Sequence, residues 1–150
     1  MKYQFGVLLL VTLLGGCAAT PPTSSSTAAA AAYTSSPDLA CALPGNCVNS
    51  RGTGDLQPLR FTGTPARAMD ILRATLASFP EATVVRAEPL SMELIFTTPA
   101  GFRDQVDFRI DAQAQRIDYR SRSLAGLFDF GKNRSRMQEF ATRFEQQSRR

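Results

Sequence analysis

Gln105-Val106-Asp107-Phe108-Arg109-Ile110-Asp111 alternates polar and apolar side chains without a break, and Arg116-Ile117-Asp118-Tyr119-Arg120-Ser121-Arg122 resumes the alternation a few residues later. A period of two puts one set of side chains on each face of an extended chain, so both segments read as half-buried strands. The short break at Ala112 to Ala114 predicts an antiparallel hairpin. In this reading the charged residues face outward and pair across the strands. Each such exposed pair contributes well under about 1 kcal/mol, so the pairs set register and solubility more than stability.

Upstream, Thr64-Pro65 has the chemistry of a helix start: a hydroxyl to cap free amides, then a proline pre-set for the first helical position. Met69, Leu72, Leu76 and Phe79 follow at helical spacing, and Pro80 marks the stop. Ala82 to Glu88 and Ser91 to Thr98 read as strands, the second with Met92, Leu94 and Phe96 on one face, and Pro99-Ala100-Gly101 as the next turn. Leu56 to Phe61 is a candidate edge strand. Downstream of the hairpin, Met137, Phe140, Ala141 and Phe144 form a second amphipathic stripe, predicting a C-terminal helix that covers the sheet. The order helix, strands, helix predicts a single small α+β domain, an antiparallel sheet with two helices packed on one face.

The amino-terminal end has a different character. Lys2, the apolar run Val7 to Leu14 and Leu14-Gly15-Gly16-Cys17 carry the marks of a secretory signal, with a cationic start, an apolar stretch too short to span a bilayer and small residues before a cut. The last four residues resemble the bacterial lipobox, which implies a signal peptide over 1–16 and an acylated Cys17. Acyl chains on one cysteine would make attachment effectively permanent. Ala18 follows, without the aspartate associated with inner-membrane retention, so the expected location is the periplasmic face of the outer membrane. Residues 17–37 are almost entirely Ala, Ser, Thr and Pro, a composition expected of a disordered tether. The α+β domain is then expected over 38–150.

The formal net charge of +4 falls to about +3 without the segment that carries Lys2, and basic residues dominate from Arg116 onward. A basic surface at this address suits anionic lipid head groups, lipopolysaccharide phosphates or acidic glycans, and export makes nucleic acid an unsuitable partner. With Cys17 committed to lipid, Cys41 and Cys47 are expected to form a disulfide in an oxidising compartment, across the turn at Pro44-Gly45. Closing so small a loop contributes roughly 2 kcal/mol, a local pin. Two thiols and no histidine do not make a metal site, and no cofactor motif is present.

The run Arg120-Ser121-Arg122-Ser123-Leu124, Gly126, then Asp129-Phe130-Gly131-Lys132-Asn133-Arg134-Ser135-Arg136 resembles the signature of family 1499 of the domains of unknown function. That signature runs Arg-Ser-x-Ser-Arg, Gly, Asp-x-Gly-x-Asn-Arg-x-Arg. Cys41 to Ser50 is similar to the family's Cys-x5-Cys-Val-x-Ser, including Asn46 before the second cysteine, and Phe102 to Phe108 resembles its Phe-x-Asp-Asp-x-x-Phe. The resemblance spans roughly Leu39 to Phe144 and implies fold and compartment without an activity. Leu124 stands where the family usually has Arg, and Gln105 where it often has a second Asp.

These matches nominate Asn46, Asp104, Arg120, Ser121, Arg122, Ser123, Asp129, Gly131, Asn133, Arg134 and Arg136 as a candidate site. Gly131 permits a turn that other residues resist, and Asn133 is read as the cap of a helix beginning at Arg134. Arginines at a helix start need a carboxylate or a bound anion beside them. Either Arg136 or Arg122 pairs with Asp129 or Asp104 and fixes the loop, or the guanidinium groups and free amides bind an anionic envelope ligand. Ser121 and Ser123 lack an evident base, and Asp104 and Asp107 fall on opposite sides of one strand. No catalytic residue is therefore assigned. The expected function is a non-enzymatic binding or scaffold module, with an envelope assembly component as the alternative and a hydrolase using Asp104 and Asp129 as a weaker third reading.

Overall fold

The computed structural model describes residues 39–52 and 54–150. The signal-like segment, Cys17 and the tether lie outside the described residues. The described residues all fall in one compact unit, and the core cluster found among them lies between Leu56 and Phe144.

The elements run β1 (Cys47–Asn49), β2 (Leu59–Arg60), α1 (Pro65–Leu76), β3 (Ala82–Glu88), β4 (Ser91–Thr97), β5 (Arg103–Asp111), β6 (Arg116–Ser123) and α2 (Lys132–Ser148). Strands β3 to β6 form an antiparallel meander, and β1 and β2 both pair with β6, giving a six-stranded sheet. The α+β class follows. The hairpin expected from the alternating run is β5–β6, with Phe108 opposite Tyr119 and Ile110 opposite Ile117. Its apolar set joins Met92, Leu94 and Phe96 of β4 beneath both helices.

Helix α1 starts as its sequence demands: Thr64 Oγ1 accepts the Arg67 amide at 3.2 Å, and Pro65 occupies the first turn. It ends at Leu76, earlier than Pro80 implied. Phe79 therefore lies in the turn beyond the helix, where it stacks on Phe140 of α2 at 5.6 Å and meets Phe96 edge-on at 5.7 Å. The edge strand expected over Leu56 to Phe61 is reduced to β2, while Leu56, Leu59 and Phe61 are all core residues. Strand β1 has no counterpart in the periodicity analysis, being only three residues long.

The outward charges do not form a solvated face. Asp107 and Asp118 are buried. Asp107 receives Arg120 Nε and Nη2 at 3.1 and 2.7 Å and Gln105 Nε2 at 2.9 Å, while Asp118 pairs with Arg51 at 2.7 Å. Arg120 also donates to the Ala40 carbonyl at 3.2 Å, tying the entering chain to this face. These carboxylates are thus held by hydrogen-bonded guanidinium groups out of water, where loss of a partner costs far more than at a surface.

Tyr119 is the only tyrosine among the described residues, and its hydroxyl is buried without a hydrogen-bond partner. Burial pushes the phenol from its ordinary 10.0 up to about 12. Because the folded value exceeds the unfolded one, this contribution is intact below pH 10 and is lost as the unfolded chain ionises first. Urea unfolding should therefore lose roughly 2 to 3 kcal/mol between pH 10 and about pH 12. In Tyr119→Phe this component should vanish, and at neutral pH the variant should be at least as stable as the parent, since an unpaired hydroxyl leaves the core. An alkaline slope identical in the two proteins would contradict the assignment.

Candidate functional site

At one end of the sheet, on the helix-covered face, strand and helix residues meet in a polar cluster instead of an apolar one. Ser121 and Ser123 project from β6, Asp104 from β5, and Asn133 and Arg136 from the first turns of α2. Asn133 makes four side-chain hydrogen bonds. Its Oδ1 accepts Ser121 Oγ at 2.6 Å and Arg136 Nη1 at 3.0 Å, and its Nδ2 donates to the Asn46 carbonyl at 3.2 Å and to Ser123 Oγ at 3.3 Å. Asp104 takes Arg136 Nη2 at 2.7 Å and Ser123 Oγ at 2.5 Å. The guanidinium of Arg136 also lies over the Phe96 ring, 4.6 Å from its centroid. Asn133 is wholly buried, and the Arg136 and Asp104 side chains are each 5% exposed.

The start of α2 differs from the sequence reading. The helix begins at Lys132, with Gly131 as its cap residue in the left-handed region at φ 76° and no side-chain cap from that residue. Asn133 is not the cap, because its side chain is committed to the buried cluster. Asp129 serves the end instead: Oδ1 accepts the Gly131 amide at 3.0 Å and Oδ2 the Asn133 amide at 2.9 Å. A carboxylate at this position also complements the helix dipole. The place where an external anion would sit is filled by the protein's own side chain.

The remaining motif arginines are also engaged. Arg136 pairs with Asp104, as one of the sequence expectations had it, whereas Arg134 pairs with Asp55 at the surface. Arg122 donates Nη2 to Gln105 Oε1 at 2.7 Å, a charge-assisted bond to a neutral amide that leaves the guanidinium charge uncompensated there. Gln105 passes its own donor to Asp107, linking Arg122 to the Arg120 pair across the outer face. Cys41 and Cys47 are joined by a disulfide.

The disulfide loop and the entry to β5 hold residues 124–130. Asn46 Nδ2 donates to the Gly126 carbonyl at 2.6 Å, the Asp129 amide to the Gly45 carbonyl at 3.2 Å, and the Leu124 amide to the Arg103 carbonyl at 2.9 Å. Gly45 faces the Leu127 carbonyl so closely that a Cβ there would come within 2.6 Å of it, so the loops fit only with glycine. On this braced segment the apolar side chains point away from the core. Phe130 is 98% exposed, Phe128 70%, Leu127 67%, and Phe102 on the adjoining strand entry 64%. Phe130 also sits at φ 53°, a conformation costing a bulky residue about 1 to 2 kcal/mol. Phe102, Phe128 and Phe130, with Arg103 and Lys132, line an open cleft of about 230 Å³.

These aromatic residues were not among the candidates nominated from the sequence. The available signal was composition: Leu124-Ala125-Gly126-Leu127-Phe128-Asp129-Phe130-Gly131 is apolar with neither period two nor period 3.6, and its glycines exclude a regular element. Of the nominated residues, Asn46, Asp104, Ser121, Ser123, Asn133 and Arg136 come together in one cluster. Asp129 and Gly131 border it, Arg120 and Arg122 lie on the opposite face, and Arg134 is apart from both.

The fold and site together define a small α+β domain in which a closed polar cluster lies beside an aromatic surface loop. Residues 14–144 match the family described as protein of unknown function (DUF1499), and the chain belongs to that family. No curated protein matches the chain.

Proposed function

We propose that this chain is a non-enzymatic interaction module of the cell envelope, anchored by lipid at Cys17 on the periplasmic side of an outer membrane, with loop 124–130 as its contact surface. The single observation behind this reading is the exposure of Leu127, Phe128 and Phe130 on a segment tied by hydrogen bonds at Leu124, Gly126 and Asp129. Apolar side chains on a mobile loop could fold back. Here the left-handed Phe130 is kept outward at a conformational cost, with 98% of its surface exposed, a pattern associated with function.

The alternatives draw less support. Anion recognition by the motif draws less support because Arg136 and Arg134 are paired with Asp104 and Asp55, Arg122 is hydrogen-bonded to Gln105, and Asp129 takes the Gly131 and Asn133 amides. Hydrolysis by Asp104 and Asp129 would need those same carboxylates. The Cys41–Cys47 disulfide fits an oxidising compartment, and the family match begins at Leu14, which puts Cys17 inside it.

Site-specific photo-crosslinking in intact cells tests the reading, with a photoreactive phenylalanine at position 128 or 130 of the full chain. Val85, 58% exposed on edge strand β3, provides an apolar control position. Discrete adducts from 128 and 130 and none from 85 are expected. Absence of adducts at 128 and 130, or an equal yield at 85, would refute the proposal.

A further inference from the structure

Resting on the reading of loop 124–130 as the contact surface, we infer that its partner is an anionic lipid bilayer, which Phe128, Phe130 and Leu127 enter at the interface while Arg103 and Lys132 meet the head groups. Charge complementarity carries the choice. The two carboxylates near the loop are both engaged, the buried Asp104 with Arg136 and Ser123, and the half-buried Asp129 with the amides of Gly131 and Asn133. The cations flanking the aromatic residues are both exposed, and among the described residues neither Arg103 nor Lys132 enters an ion pair. The surface therefore presents apolar rings flanked by two exposed cations outside any ion pair, the combination that favours the boundary between acyl chains and acidic head groups.

Shape agrees with charge. The most exposed ring, Phe130, follows Asp129 at the tip just before α2, and Phe102 stands beside it at the entry to β5. Insertion is therefore by side chains from a loop, and none of the described helices is long and apolar enough to cross a membrane. For a chain anchored at Cys17, such a contact would be effectively intramolecular, at a high local concentration of lipid, so even a weak interaction would hold the domain against the surface.

Flotation of the Ser35–Arg150 unit with vesicles decides the matter, using phosphatidylcholine alone and phosphatidylcholine containing phosphatidylglycerol. Binding should be stronger to the anionic vesicles and should weaken with added salt. Phe128→Ser with Phe130→Ser should reduce it at least about tenfold. Arg103→Gln with Lys132→Gln should reduce anionic binding about tenfold while sparing the residual binding to phosphatidylcholine. Thermal unfolding of every variant should match the parent, because none of these side chains is buried. Failure to bind anionic vesicles, indifference to phosphatidylglycerol, or full binding by the double-serine variant would each overturn the inference. Crosslinks from position 130 to protein alone would also overturn it while leaving the interaction-module reading standing, and loss of both signals would remove the two together.

Discussion

Arg136→Ala should lower the unfolding free energy by about 3 to 5 kcal/mol, the cost of leaving a buried carboxylate without its counter-charge. Removing the guanidinium takes away a 2.7 Å bond to Asp104, a 3.0 Å bond to Asn133 and the stacking over Phe96. For a domain whose whole stability is of the order of 5 to 15 kcal/mol, that is a large share. Urea unfolding monitored by circular dichroism provides the measurement, with Asp104→Asn and the double variant closing a cycle. The double variant should be more stable than Arg136→Ala alone, since it no longer buries an unpaired charge. A loss below about 1 kcal/mol, the range of exposed pairs, would mean that the arginine is not a structural element and would reopen the anion-binding reading.

The parts of the fold legible in the sequence were those that obey a simple period. The β5–β6 hairpin was visible because Val106, Phe108 and Ile110 alternate with polar residues, and α1 because Thr64, Pro65 and the Met69–Leu72–Leu76 spacing agree with one another. Periodicity reports which face a residue occupies, not what covers that face. It puts Asp107 and Asp118 on the correct side of the sheet but carries no sign that both are buried beneath paired arginines. Strand β1 is too short to show any period, and it exists because Cys47 to Asn49 can pair with Arg120 to Arg122.

The candidate site was legible as a set of residues but not as a division of labour. Motif spacing grouped Asp104, Ser123, Asn133 and Arg136 with Arg134 and Arg122, and the grouping alone could not tell an interior bond from a surface one. That distinction depends on where α2 begins. Starting it at Lys132 instead of Arg134 turns Asn133 and Arg136 inward and leaves Arg134 outside with Asp55. The aromatic loop was missed for the complementary reason: its apolar residues look like core by composition and become surface only because the polar cluster occupies the interior beside them.

Asn133→Ala should cost about 3 kcal/mol, since two donors and two acceptors lose partners inside the protein and each buried unsatisfied group costs about 1 to 3 kcal/mol. The sharper variant is Asn133→Asp, which keeps the shape. An amide supplies two donors and an accepting oxygen, and Asn133 uses both kinds; an ionised carboxylate offers acceptors alone. The aspartate would face the Asn46 carbonyl with no proton between them, so Asn133→Asp should recover little of the loss at neutral pH, despite the attraction of Arg136. Parent-like stability in urea would sink this account of the cluster. The consequence should also travel. Asn133 holds the Asn46 carbonyl, which accepts the Ser123 amide, and Asn46 holds Gly126. Hydrogen exchange in either variant should therefore accelerate at Ser123 and Asp129, the amides that tie the aromatic loop to the disulfide loop, more than in the centres of β5 and α1. Phe130→Ser removes the most exposed ring without touching this chain of bonds, and its exchange pattern should match the parent. Acceleration confined to the Asn133 variants would separate the two roles, with the buried amide setting the position of the loop and the phenylalanines making the contact.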